Sequence, residues 1–471
     1  MTGLPGPPLD WSDWSGRQHC SPARVLQPAT EDELAAGVRA AASDGLVVRP
    51  VGSGHSFTPL CVTDGVQVDV SRLDRLLDVD GAGVATAQAG ITLLALSAAL
   101  HERGRALENM GDVDTQTLAG ALATGTHGTG ATFGNLSAPV VGGRLVTAAG
   151  TVLDFGDVAD DDVLRAARVS LGALGVMSEV RVQTVPAFRL HKVEDVRPLS
   201  EVLEDLDELV AGHDHVELYA LPWSSRSLLL RSRRTDEQAA PPPRWRTWLT
   251  DELVNNTGLG LLQRTGLRFP AATPALGRLT GLLASGSSRL DDSHRVFASN
   301  RRVRFTESEW ALPRAAVAEA VLAVLALIER DRLPVTFPIE VRVAAEDDAL
   351  LSTASGRPSA YVAVHQFAGA DDTAYFREVE RVMLAMDGRP HWGKKHSAGA
   401  EILAPRYPGW DRFQAVRDRL DPVGVFTNDH LAHVLGPPAC PTSCVALASK
   451  ASRSTTANGA SRSPTAASNR R

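Results

Sequence analysis

Four cysteines in 471 residues are too few for a disulfide framework at this length, so Cys20 and Cys61 are expected as ordinary reduced thiols. Cys440 and Cys444 lie in a low-complexity tail without histidine neighbours, which removes the usual pattern of a zinc site, and no metal is expected. Long apolar runs are also missing. The best candidate, residues 315–328, is broken by Glu319, so no membrane-spanning segment is expected. The opening MTGLPGPPLDW has neither the basic start nor the apolar run of a signal peptide, and the expected location is cytoplasmic. With a net charge of -7 and no basic stripe interleaved with aromatics, nucleic acid is not an expected partner. Beyond Gly436 the composition is mainly Ser, Ala, Thr, Pro and Gly, with Lys450, Arg453, Arg462, Arg470 and Arg471 and no acid. That segment, 436–471, reads as a disordered basic tail, and the folded body is correspondingly acidic.

What is present begins with residues 51–57, VGSGHSF. Glycines flank a serine and precede a histidine, so backbone can approach a charged ligand closely while one side chain points at it. The preceding stretch makes this turn legible. Residues 30–45 carry Thr30 as N-cap, Glu33 to close a capping box and Gly45 as C-cap, and 46–51 is a short apolar strand. A nicotinamide-binding Rossmann turn is disfavoured because Phe57, Thr58 and Pro59 open no helix and the third glycine is missing.

Strands are expected over 66–70 and 84–89, a helix over 92–103, a hairpin over 140–155, a helix over 161–170 and a strand over 176–185 that ends at Pro186. Residues 118–130 (LAGALATGTHGTG), after GDVDTQT at 111–117, form a second glycine-rich stretch expected to wrap backbone donors around the same long ligand. Past Pro186 the chain becomes richer in charged helices, and 231–243 reads as an exposed loop. Strands over 334–343 (PVTFPIEVRV) and 361–367 (YVAVHQF) put Glu340 and Arg342 on one face and offer His365 to a pocket. Helices follow over 371–385 and 410–420, separated by the aromatic and basic knot RPHWGKKHS at 389–397.

A flavin needs backbone donors for its pyrophosphate and a positive group near the ring edge where charge gathers on reduction. A hydroxyl substrate needs a group to share its proton. Glu340, Arg342 and Lys394 are residue types able to meet these needs, although the first two alone would more often be a surface ion pair worth about 0–1 kcal/mol.

The stretches VRPVGSGHSFT, GDVDTQTLAGALATGTHGTG, IEVRV, GRPHWGKKH and DPVGVFTND, in that order, resemble the aldonolactone oxidase and dehydrogenase family of the vanillyl-alcohol-oxidase flavoprotein superfamily. The resemblance runs from about Trp14 to Gly436 and implies an α+β, two-domain fold. It places an FAD-binding domain of two α+β subdomains at 14–186, a cap domain with an antiparallel sheet at 187–393, and a segment at 394–435 that returns to the first domain. It implies FAD held by Val51, Gly52, Ser53, Gly54, Ser56, Phe57, Thr117, Thr124, Gly125, Gly128 and Val176, with His55 covalently bound to the flavin. Glu340, Arg342 and Lys394 are the implied catalytic residues, with Thr117 and His365 also at the substrate, and Lys395 is a rival to Lys394. The implied partners are a sugar lactone or a polyol, and oxygen or another redox acceptor such as a cytochrome or quinone. GDVDTQT favours lactones over alditols.

Overall fold

The computed structural model describes residues 10–156, 161–243, 257–299 and 302–438. The basic tail expected over 436–471 therefore lies almost wholly outside the described residues.

Near the N-terminus, the strands Arg24–Leu26, Val66–Asp69 and Val48–Val51 form a parallel three-stranded sheet with Val66–Asp69 in the centre. Helix Glu31–Ser43 packs on it through Leu34, Ala35, Val38 and Ala41, and Thr30 caps it by accepting from the Glu33 amide at 3.2 Å. A second, five-stranded antiparallel sheet runs in the order Val152–Phe155, Val140–Val146, Val176–Gln183, Val84–Gln88, Leu76–Val79. Helices Leu93–His101, Leu118–Ala123 and Asp161–Arg168 share its core.

The third sheet has eight antiparallel strands, from Ser287–Asp292 at one edge to Arg389–Pro390 at the other. Its middle is His215–Ala220, Ile339–Ala344, Ser359–Phe367 and Phe305–Pro313. Alternation gives this sheet two chemically opposite faces. Leu218, Val341, Val362, Val364 and Leu312 join helices Val317–Arg330 and Thr373–Ala385 in an apolar core. The registers Glu217 to Arg342, Tyr219 to Glu340 and Glu307 to His365 put the ionisable residues on the other face.

After Arg389–Pro390 the chain leaves this sheet. Leu403, Tyr407, Trp410, Phe413, Val416 and Leu431 complete the core of the five-stranded region. A fully buried guanidinium fastens the return: Arg49 donates to the carbonyls of Leu60 (2.7 Å), Leu171 (2.9 Å), Gly172 (3.1 Å) and Phe426 (2.5 Å). Burial lowers its pKa to about 10, so it remains a cation at neutral pH.

Three expectations are corrected. The strand expected over 334–343 is Ile339–Ala344, because Pro338 has no N–H to give a ladder. Much of the loop expected at 231–243 is strand: Arg226–Thr235 pairs on both sides, with 189–198 and with 215–220, and after Thr235 the chain touches the sheet again at Ala240, which bridges Leu290. The glycine stretch 118–130 is not wholly a loop. Its first half is helix Leu118–Ala123, capped by Thr117, because Leu118, Ala121 and Leu122 find an apolar core to enter.

Candidate active site

A cavity of about 750 Å³ lies between the glycine turn, the 111–117 loop and the ionisable face of the eight-stranded sheet. One wall is mostly backbone. Gly54 sits at φ +66°, a conformation that favours glycine, and the amides of residues 53–56 donate to no acceptor among the described residues. Gly52 lies so close to Thr117 that a Cβ there would come within 2.1 Å of Thr117 Oγ1. Ser53 Oγ donates to the Thr115 carbonyl at 2.6 Å, which fixes the turn against the 111–117 loop. Phe57 anchors the other end through its amide, 2.7 Å from the Gly393 carbonyl.

His55 opens into this cavity, stacked on Trp14 at 5.5 Å between centroids, with Nε2 3.0 Å from Thr115 Oγ1. Burial and the nearby Lys394 ammonium lower its pKa to about 4, so the imidazole is neutral at physiological pH.

The facing wall is made of charges. Arg342 Nη2 lies 2.6 Å from Glu340 Oε1, 3.6 Å from Asp112 and 3.8 Å from Glu217. Burial opposes its charge, but Glu340, Glu217 and Asp112 outweigh that and hold its pKa well above the ordinary value. Lys394 Nζ is 2.5 Å from Glu307 Oε2, and His365 Nε2 is 3.7 Å from the other oxygen of the same carboxylate. Burial is again outweighed at Lys394, here by Glu307 and Glu309, and its pKa is raised. Arg342 Nε and His365 Nδ1 are buried without hydrogen-bond partners among the described residues. Such orphaned groups at a cavity wall are suited to a polar ligand.

Of the residues expected at the site, Val51, Gly52, Ser53, Gly54, His55, Ser56, Phe57, Thr117, Thr124, Val176, Glu340, Arg342, His365 and Lys394 all line this cavity. Gly125 and Gly128 are not among the lining residues. Gly128 instead lets the chain pass close to Asn109 and Met110, where a Cβ would meet Asn109 Oδ1 at 2.2 Å. The two lysines are separated cleanly: Lys394 faces the cavity, whereas Lys395 binds both oxygens of Asp372 at 2.7 Å.

Sequence reasoning missed Glu307, Glu309, His127 and His391. The first two are spaced i, i+2 on Phe305–Pro313, and that alternation was the only signal available. His127 Nδ1 is 2.9 Å from the Gly128 carbonyl and Nε2 is 3.1 Å from Glu309 Oε1. Burial would raise the Glu309 pKa, but His127 and Lys394 outweigh it and hold it well below the ordinary value. His127, Glu309 and His391 bring ligand-type atoms within 4.8 Å of one another. However, His391 Nδ1 accepts from the Gly393 amide at 3.1 Å and burial pushes its pKa down to about 3, so the cluster is organised by hydrogen bonds.

A long cavity with free amides and a neutral histidine on one wall and a buried acid–base web on the other defines a flavin-dependent oxidoreductase. Comparison with known proteins agrees. Residues 22–156 match the FAD binding domain family and residues 180–434 match the D-arabinono-1,4-lactone oxidase family. The chain belongs to that family of aldonolactone oxidases and dehydrogenases. It is 51% identical over 428 residues to an L-gulono-1,4-lactone dehydrogenase of Mycobacterium tuberculosis, covering 91% of this chain and 99% of that one. It is 32% identical to L-gulonolactone oxidase of Bos taurus (90% and 98% covered) and 32% identical to an alditol oxidase of a Streptomyces species (90% and 98%). The fold matches a solvent-stable cholesterol oxidase with a TM-score of 0.77 at 21% identity, covering 91% of this chain and 98% of that one. The architecture is thus the two-domain vanillyl-alcohol-oxidase type, with an FAD-binding domain of two α+β subdomains and a cap carrying the antiparallel sheet. The cofactor is FAD, and the residues of the backbone wall fit it: the free amides suit a pyrophosphate, and Gly52 lets the turn pack closely on Thr117.

Proposed function

We propose that the protein oxidises an aldono-1,4-lactone, L-gulono-1,4-lactone or D-arabinono-1,4-lactone, at C2. The observation that carries this reading is the convergence of the GDVDTQT loop on Arg342, with Asp112 3.6 Å from the guanidinium beside Glu340. FAD, when bound, supplies the hydride acceptor for the C2 hydrogen. Glu340 accepts the 2-hydroxyl hydrogen and takes its proton as C2 is oxidised, while the Arg342 guanidinium donates to the forming carbonyl oxygen. Lys394, kept protonated by Glu307, supplies positive charge where the reaction builds negative charge. His365, with Nδ1 unpartnered, hydrogen-bonds a further substrate oxygen.

Residues 14–186 form the cofactor domain in this reading, 187–393 the cap and 394–435 the return. Val51, Gly52, Ser53, Gly54, Ser56, Phe57, Thr117, Thr124 and Val176 contact the cofactor, Thr117 also faces substrate, and Gly125 and Gly128 shape the loop behind that wall. His55 carries the flavin covalently, a role supported by its neutral imidazole at the cavity. Oxygen, a cytochrome or a quinone takes up the electrons. No described helix is long and apolar enough to cross a membrane, and the free thiols of Cys20 and Cys61 support a cytoplasmic location.

A second reading, an alditol oxidase, is favoured by the Streptomyces relative and uses the same polar wall. Anaerobic reduction with each lactone and with xylitol separates the two. Bleaching of the flavin by a lactone is expected, whereas bleaching by xylitol alone would sink the lactone reading. Acid precipitation tests the His55 bond: the colour should stay with the wild-type pellet and leave with His55→Ala.

A further inference from the structure

The outer side of the glycine turn is covered by a short hairpin in which Trp11–Ser12 pairs with His19–Cys20. It is fastened to the turn at two points. The Trp14 amide donates to the Gly54 carbonyl at 2.8 Å, and Gln18 Nε2 donates to the Phe57 carbonyl at 3.1 Å. Between the strands the Asp13 carboxylate accepts from the Arg17 and Gln18 amides at 2.8 and 2.9 Å, which braces the loop that carries Trp14. Two tryptophans are thereby fixed against the turn. A Cβ on Gly54 would lie 3.3 Å from Trp11 Cζ2, and the Trp14 ring stacks on His55 at 5.5 Å and 27°. Phe305 meets Trp14 edge-on at 5.2 Å.

Trp14 lines the cavity yet is only half-buried, and Trp11 is half-buried between the exposed Asp10 and Ser12. His55 and Trp14 therefore make a stacked pair of rings that leads from the cavity toward the surface. This bears on where electrons leave. A protein acceptor cannot enter a cavity of about 750 Å³, so it must draw electrons through the wall. Transfer between redox groups weakens steeply with distance, and this part of the wall is bridged by aromatic rings. Charge indicates the kind of acceptor. The chain carries -7 even though its last residues, from Lys450, hold five cations and no acid, so a cationic protein is drawn to it. On the hairpin Asp10 is exposed, while the Arg17 guanidinium is turned to the Ala370 carbonyl at 3.0 Å.

We propose that the hairpin around Trp11 and Trp14 is the docking face for a basic haem protein, and that Trp14 passes electrons to it from the flavin at His55. This rests on the reading that His55 carries the flavin. In each turnover the flavin, reduced by hydride, gives one electron to each of two ferric haems and releases the proton of that hydride to solvent.

The test uses the full-length holoenzyme, ferric cytochrome c as the basic haem protein, and dichlorophenolindophenol as a small acceptor. Titration calorimetry at low salt should show binding of cytochrome c that weakens with added salt, and that weakens about tenfold in Asp10→Lys with Ser12→Lys. After anaerobic reduction by lactone, Trp14→Leu should slow reoxidation by cytochrome c about tenfold relative to reoxidation by the dye, and Trp14→Phe should recover most of the loss. Equal slowing with both acceptors makes Trp14 a support of the flavin itself and overturns the proposal. A wild type that neither binds nor reduces cytochrome c overturns it too, as does a charge-reversed variant that binds as wild type does. That variant leaves Trp14 and His55 intact, so the docking face is tested even where Trp14→Leu does not retain flavin. Acid precipitation reports on the His55 bond alone: flavin released from the wild-type pellet sinks the covalent reading, whereas an unchanged acceptor ratio in Trp14→Leu sinks the electron path.

Discussion

The two walls of the cavity solve opposite problems. On the glycine-turn side the ligand is met by main-chain amides, held by hydrogen bonds between neighbouring loops such as Ser53 to Thr115. On the sheet side it is met by ionised side chains buried in a low-dielectric face, each kept charged by another. A backbone donor needs only space and a fixed turn, whereas a buried charge needs its counter-charge in place. The first wall should therefore fail through crowding and the second through loss of a partner.

Arg342→Ala is the most severe way to break the charged wall. It strands Glu340, Glu217 and Asp112 around a vacated site, and turnover should fall about 10³-fold or more. Stability should fall by about 3–5 kcal/mol, measured by denaturant titration. A variant that melts like wild type would show that the carboxylates are hydrated and the wall is not the closed web described above.

Gly52→Ala probes the backbone wall. The added methyl overlaps Thr117 Oγ1, so a cost of about 1–3 kcal/mol and substoichiometric flavin in the purified protein are expected. Full cofactor loading would mean that the turn can move away from the 111–117 loop.

Glu307→Gln sharpens the comparison through pH. In the folded protein the Lys394 pKa is raised, so the ion pair's stabilisation is fully present below the ordinary lysine value and is lost as pH rises through the folded value. Removing the Glu307 charge lowers the folded value. The alkaline limb of kcat/KM should then move to lower pH, with a loss of about tenfold at neutral pH. An unmoved limb assigns that limb to another group. Lys395→Ala is the mildest change for catalysis: its partner Asp372 lies away from the cavity, so turnover should stay within about twofold, while leaving the buried Asp372 carboxylate without its cation costs about 1–3 kcal/mol of stability.

The backbone wall was legible early because its signal is local. The capped helix at Glu31–Ser43, the strand Val48–Val51 and the turn after it follow from a few adjacent residues, and the turn's cavity-lining positions emerge from the same stretch. Helix Leu118–Ala123 was not legible, because its leucines become helical only against a distant core. On the charged wall, Glu340 and Arg342 could be placed on one strand face, yet as a lone pair they were indistinguishable from a surface ion pair. Glu307 and Glu309 were passed over altogether.

The sequence by itself determined the order of elements, the glycine turn and the alternation that makes the eight-stranded sheet apolar on one face and ionisable on the other, since these depend on residues within a few positions of each other. Only the tertiary structure decided which charges meet. Lys394 reaches Glu307 across 87 residues and His127 reaches Glu309 across 182, while Lys395, one position from Lys394, turns to Asp372. Strand register and burial choose these partners, and burial makes the choice matter: charges that water would screen at the surface must neutralise one another inside.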